Sequence, residues 1–309
     1  MIAEASVPSD KAVGVVVYDK PAGVTSHDVV ARVRRGQARG VKVGHAGTLD
    51  PFASGLLLVL LGRATRVQRF LMALGKTYEV TARFGAVSST GDPEGEIVPT
   101  GVVPDGELRL PTGRLRQRPP AFSAVKIDGR RAYALARAGV DVQVPEREVD
   151  VYRFEEIWRA DDRRGFVIEC GSGTYVRSLI ADLGDAYCET LRRTRIGQFD
   201  VIDADPERVI TLNDALAFLP ELRLDPEQAR RAGHGAAVPG DVGRTIPRHA
   251  AAAVPGDAAA AVPGDAEGAV PGRPSSGDGS GAVRLSDEHG LIAIGEPVKG
   301  ELRPTVGLR

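Results

Sequence analysis

Asp50 stands in GHAGTLDPFASG, residues 44–55, a carboxylate among three glycines, a histidine and a proline. An aspartate at the root of a stiff loop can attack an electrophilic carbon or take a proton, provided it is ionised. In a cleft that calls for a cation partner and a dry wall. Pro51 biases Asp50 toward extended backbone, and Gly44 and Gly47 let the chain bend and come close to a ligand. The same residues also read as an ordinary Thr48-Leu49-Asp50-Pro51 turn, and this stretch alone does not choose between turn and reagent. Arg177, in GSGTYVRSL, is a candidate cation that enters a helix just after a glycine turn, a place where arginine is otherwise a surface residue. Tyr78 falls on the apolar side of an alternating stretch, where an aromatic ring packs a core or stacks on an extruded base. His45 fits a turn residue, a general base or a phosphate contact, and its spacing does not separate them.

Periodicity supplies the elements that must hold these residues. Gly14 to Tyr18 is β-rich, Lys20-Pro21-Ala22-Gly23 turns the chain, and Thr25 with Asp28 offers an N-cap for a helix to about Arg35. Val67, Phe70, Leu71 and Leu74 predict a helix from about Ala64 to Leu74, stopped by Gly75. From Lys76 to Phe84 the apolar period becomes two, the pattern of a half-buried strand, and Ser88 to Glu96 reads as a polar loop. Arg130 to Ala138 reads as a short helix, Val149 to Trp158 and Gly165 to Cys170 as strands, and Thr174 to Tyr187 as a helix. A strand near Leu191 to Val201 and a helix from Thr211 to Leu219 follow. Without a regular βαβ rhythm, the class is α+β with a mixed, mainly antiparallel sheet.

A chain of 309 residues can hold one large domain and a small appendage. The longest apolar run, Leu56 to Leu61, is too short to cross a bilayer, and residues 1–12 lack the apolar centre of a signal peptide. The expectation is a soluble cytoplasmic monomer. Cys170 and Cys188 have no companion ligands at metal spacing and read as buried thiols. Charge is unevenly placed: in 31–70 eight basic residues face one acid, Asp50, and in 114–137 seven face Asp128. Two such stretches flanking candidate site residues suit a polyphosphate, which makes nucleic acid the leading partner. AAAAVPGD at 250–257 recurs at 258–265, with a degenerate copy at 266–273 and an earlier AAVPGD at 236–241. Proline and glycine return every eighth residue, too often for a helix to nucleate. The expected division is a disordered 1–12, a main domain over 13–221, a small domain from 222–234 and 281–309, and a disordered insert at 235–280.

Taken together the motifs resemble the tRNA pseudouridine-55 synthases of the TruB family: KPAGVTSHDVV (20–30), VGHAGTLDPFASGLL (43–57), KTYEV (76–80), PPAFSAVKIDGRRAYALARAG (119–139), GSGTYVRSLIADLG (171–184) and LRRTRIGQF (191–199). The resemblance implies a pseudouridine synthase catalytic domain with a small PUA-like β-rich domain, here interrupted by the insert. It implies isomerisation of uridine in the T-loop of tRNA, with the T-arm as partner and with no cofactor or metal. Asp50 matches the catalytic aspartate, Tyr78 the stacking and proton-transfer tyrosine, and Arg177 the arginine that pairs with the aspartate. On the substrate side, Leu191 matches the apolar residue near the uracil, His45 the motif histidine, and Lys20 and Pro21 the motif supporting the active-site loop. Lys126, Arg34, Arg35 and Arg131 supply basic contacts to RNA. The alternatives are a pseudouridine synthase for another RNA and an RNA-folding chaperone that does not need Asp50.

Overall fold

The computed structural model describes residues 13–120, 126–127, 130–131, 144–240 and 281–309. The expected disorder at 1–12, most of the repeat insert and most of the expected helix at 130–138 lie outside those residues. The chain divides into two units, Met1–Leu212 and Asn213–Arg309, so the second begins earlier than the expected boundary after residue 221.

In the first unit the strands are β1 (Gly14–Lys20), β2 (Val43–Ala46), β3 (Ser54–Leu61), β4 (Lys76–Phe84), β5 (Ala86–Ser88), β6 (Ile97–Pro99), β7 (Gly113–Gln117), β8 (Lys126–Ile127), β9 (Arg130–Arg131), β10 (Arg147–Ala160), β11 (Arg163–Cys170), β12 (Ala186–Ile196), β13 (Phe199–Asp200) and β14 (Val209–Ile210). Ten of them form one sheet, whose main path runs β14-β1-β3-β12-β4-β11-β10-β7, with β2 on β3 and β13 on β12. Every pairing is antiparallel except β3 with β12, at Arg192 opposite Ser54 and Arg193 opposite Gly55. The mixed, mainly antiparallel α+β class is therefore the observed one.

The leucine run is the centre of this sheet. Leu56 to Leu61 are all fully buried, which strand alternation divides between the two faces. Leu57, Val59 and Leu61 pack with Val29, Val30 and Val33 of α1 (Ser26–Arg35). Each such side chain contributes about 1.5–3 kcal/mol of burial. The expected cap at Thr25 is a full capping box, with Asp28 accepting from the Thr25 backbone and the Thr25 hydroxyl accepting from Asp28 N–H.

Three expected helices differ. Residues 62–74 open as a 3₁₀ segment, Gly62–Val67, and only Gln68–Ala73 is α-helical (α2). The helix after Gly173 is α3, Val176–Ala181; Gly184 then adopts φ +134° and Ala186–Tyr187 begin β12. Arg130–Arg131 pair with Lys126–Ile127 as strands.

In the second unit a turn of helix at its start, α4 (Leu212–Ala215), precedes β15 (Glu221–Arg223), α5 (Pro226–Gly233), β16 (Val238–Pro239), β17 (Val283–Asp287), β18 (Gly290–Val298) and β19 (Glu301–Gly307). The five strands form a sheet ordered β15-β17-β18-β19-β16, in keeping with a small PUA-like β-rich domain. Val238 is buried in its core with Leu285 and Leu302, so 235–240 belongs to this domain and not to the insert. An apolar residue flanked by a pairing edge outweighs the repeat composition there.

Candidate active site

Asp50 lies on the loop between β2 and β3, and that loop is held from beneath by backbone-directed bonds. The Ser26 hydroxyl, at the start of α1, accepts from Leu49 N–H at 2.9 Å and donates to Leu49 C=O at 3.1 Å. On the other side of the aspartate, Gly23 N–H donates to Pro51 C=O at 2.8 Å, and Lys20 Nζ reaches the same oxygen at 3.3 Å. Lys20 Nζ also donates to the carbonyls of Pro21 (3.0 Å) and Val24 (2.7 Å). The KPAGVTS motif thus acts as a scaffold that fixes both neighbours of Asp50. Lys20 is fully buried, so its place is under the loop and not against substrate; Pro21 is exposed. Burial lowers the Lys20 pKa to about 8, against the pull of Asp50.

The expected pairing of Asp50 with Arg177 is present. Arg177 Nη2 lies 3.1 Å from Asp50 Oδ2; the arginine side chain is 5% exposed and the aspartate 36%. The pair has a third member that sequence reading left in a polar loop. Asp92 Oδ2 sits 2.7 Å from Arg177 Nη1 and is 4% exposed. Arg177 Nη1 also donates to Thr90 C=O at 2.8 Å, and Asp92 in turn accepts from the Thr90 hydroxyl at 2.6 Å and Glu94 N–H at 3.0 Å. Asp92 therefore fixes the cation that faces the open carboxylate. The helix carrying Arg177 is positioned at Tyr175, whose N–H and C=O are both held by the Gln117 side chain, at 2.8 and 2.9 Å.

Burial is the largest influence on Asp50 and raises its pKa; Arg177 lowers it and Asp92 raises it. If Asp50 is the reagent its ionised form acts, and activity would be lost as pH falls through this raised value. Asp92→Asn removes a neighbouring negative charge and is expected to move the acid limb of kcat/KM to lower pH while kcat falls. A pH-rate profile in which the limb stays put or moves upward would contradict this electrostatic assignment.

Tyr78 and Leu191 are buried in one apolar cluster with Leu49 and Ala53 of the aspartate loop. Burial pushes the Tyr78 hydroxyl up to about 12, and the charge of Arg193 opposes that rise. Arg193 is the second residue that sequence reading missed, because LRRTR reads as a solvated basic run. His45 lies on β2, its ring edge-on to His27 at 5.5 Å. Burial lowers its pKa to about 4, which favours the neutral ring.

Arg34 and Arg35 are exposed in the last turn of α1, while Lys126 and Arg131 lie in the separate β8-β9 ribbon. If these basic groups meet RNA phosphates, replacing Arg34, Arg35 and Arg131 by glutamine should weaken binding and reduce the slope of log K against log salt by about one for each phosphate no longer neutralised. An unchanged slope in filter binding would remove them from the interface. Cys170 and Cys188 are free and buried. Among the described residues no three His, Cys, Asp or Glu gather at metal-binding spacing, and no helix is long and apolar enough to cross a membrane.

Residues 34–176 match the family described as "TruB family pseudouridylate synthase (N terminal domain)". The chain is 42% identical to the tRNA pseudouridine synthase B of Corynebacterium aurimucosum, over 72% of this chain and 83% of that protein. It is 43% identical to the protein of the same name from Thermobifida fusca, over 73% and 86% respectively. In structure it is similar to a chain of the solved Cbf5-Nop10-Gar1 complex, with a TM-score of 0.57 and 27% identity, over 93% of this chain and 78% of the other.

Proposed function

The chain belongs to the TruB family of pseudouridylate synthases, isomerases of tRNA uridine, and from that premise we propose that its target is uridine 55 of the T-loop, with Asp50 as the acting carboxylate and no cofactor. The observation that carries the assignment to Asp50 is its geometry. It is a partly open carboxylate on an over-determined loop, ion-paired at 3.1 Å with an arginine that is itself buried.

The target nucleotide lies inside a folded loop and must be turned out, at a cost of a few kcal/mol. Phosphate contacts offset that cost, and Tyr78 and Leu191 offer an apolar wall for the extruded uracil. Asp50 then acts on the ribose, as a nucleophile at C1′ or as a base toward the 2′ proton. Deuterium at C2′ separates the two, since only proton removal there gives a primary isotope effect. The C1′–N1 bond breaks, the uracil turns, and C1′–C5 forms as the Asp50 ester at C1′ is displaced or, on the other route, as the 2′ proton returns to C2′; the C5 proton then leaves and N1 ends protonated. Atoms and electrons balance without any co-reactant. In this reading Tyr78 passes the C5 proton.

The test is carbodiimide-dependent primer extension on an unmodified tRNA transcript. The expected result is one new stop, at T-loop uridine 55, absent with Asp50→Asn. Stops at other uridines, or a stop that survives the substitution, would overturn the site or the acting residue respectively.

A further inference from the structure

Arg193 lies on β12, opposite Tyr78 of β4 on one side and Gly55 of β3 on the other. Its side chain is buried, 1% exposed, and its hydrogen bonds run to both ends of the Asp50 loop. Nη2 donates to Gly47 C=O at 3.0 Å, just before the loop, and Nε donates to Leu56 C=O at 2.8 Å, just after it. Arg193 and Tyr78 are cross-strand partners, and the guanidinium charge favours the ionised form of the Tyr78 hydroxyl. The main chain closes in as well: at Gly55 (φ +101°) a Cβ would lie 2.2 Å from Arg193 C=O. The residue that holds both ends of the carboxylate's loop is therefore also the cross-strand partner of Tyr78.

We propose that Arg193 is a positioning residue for the isomerisation, clamping the two ends of the Asp50 loop and orienting the Tyr78 hydroxyl for proton transfer. The proposal rests on the assignment of Asp50 and Tyr78 as the acting groups. A planar guanidinium suits the task, since its donors leave in fixed directions and one group can satisfy two acceptors at once. Its charge is permanent, so it favours electron density on the phenol oxygen as a proton is passed. The other ionisable groups around Tyr78 are Cys170 on β11 and Asp50 on the loop, both of which oppose ionisation of the phenol, so the favourable influence comes from β12. Lys76, at the start of the same strand as Tyr78, spends its donors on the carbonyls of Leu74 (2.5 Å) and Met72 (2.8 Å) and does not substitute for Arg193.

The test places 3-fluorotyrosine at position 78 and compares wild type with Arg193→Met, Arg193→Gln and Arg193→Lys by ¹⁹F NMR and by tRNA kinetics. In Arg193→Met the fluorine resonance is expected to shift, and the phenol to titrate at higher pH. The same variant is expected to lose about 100-fold in kcat, with KM for tRNA changed less than about twofold, because the reacting groups and not the RNA surface are displaced. Arg193→Lys should restore the titration in part, and kcat with it. If the methionine variant does not fold, the glutamine variant carries the test, since it keeps a donor but not the charge; the same upward titration and kcat loss are expected. A fluorine titration unchanged in the folded neutral variants, or a kcat unchanged in them, would overturn the proposal. The fluorine readout does not depend on which carboxylate acts, so failure of the Asp50 assignment, seen with Asp50→Asn, is distinguishable from failure here.

Discussion

Asp50→Asn is expected to reduce the single-turnover rate of pseudouridine formation by about 10⁴-fold or more, while the dissociation constant for tRNA changes less than about twofold. The amide has the size of the carboxylate but neither attacks C1′ nor takes a proton at useful rates. Its neighbours stay in place, because the loop is fixed through backbone atoms of Leu49 and Pro51 and not through the Asp50 side chain. Arg177 also keeps its seat, since Asp92 at 2.7 Å and Thr90 C=O at 2.8 Å remain. Loss of the chemical step with binding preserved separates a reagent from a structural aspartate. Quench-flow with excess enzyme, alongside thermal unfolding, makes the measurement; a rate within tenfold of wild type would remove Asp50 from the chemistry.

The second large effect is on the fold. Gly55→Ala is expected to destabilise the protein by about 4 kcal/mol or more, read as a lowered urea midpoint. The added methyl would stand 2.2 Å from Arg193 O and 2.8 Å from Arg193 N, both backbone atoms, so no rotamer change relieves it. The φ of +101° is unfavourable for any L side chain as well. Relief requires β3 and β12 to separate at the point where they pair. Gly44→Ala is the matched control: its Cβ would meet only a Thr65 methyl at 3.6 Å, and the expected change is within about 1 kcal/mol. Equal midpoints for the two alanine variants would contradict this account.

The contrast between these two glycines marks the limit of what the sequence discloses. Features carried by local order were legible: the alternation of β4, the Thr25 cap and the buried leucine run follow from period and spacing, whereas the Asp50–Arg177 pair was assigned only through the family resemblance. Asp92 was not, because a carboxylate in a run of Ser, Thr and Gly looks solvated. Its burial comes from Arg177, 85 residues away in the chain. Arg193 was masked by its own neighbours: Arg192 pairs with Asp19 in a half-exposed bridge, while the adjacent Arg193 points the other way into the core. Strand alternation implies such a division, but nothing local says which arginine turns inward. The helix expected to run to Tyr187 stops at Ala181 for a similar reason, since Ala186, Tyr187 and Cys188 gain more by joining the sheet beside β4.

The parallel pairing of β3 with β12 bears on the order in which the protein is made. The aspartate loop and its scaffold, Lys20 to Leu61, leave the ribosome early. Both arginines that address the loop, Arg177 and Arg193, follow more than a hundred residues later. At about 5–20 residues per second, that interval is on the order of ten seconds. During it the leucine strand can pair with β1 and β2 and pack under α1, but its Ser54–Gly55 end lacks β12 and Asp50 lacks its arginine. A nascent chain therefore carries a formed loop whose carboxylate gains its arginine partner only as the central sheet closes.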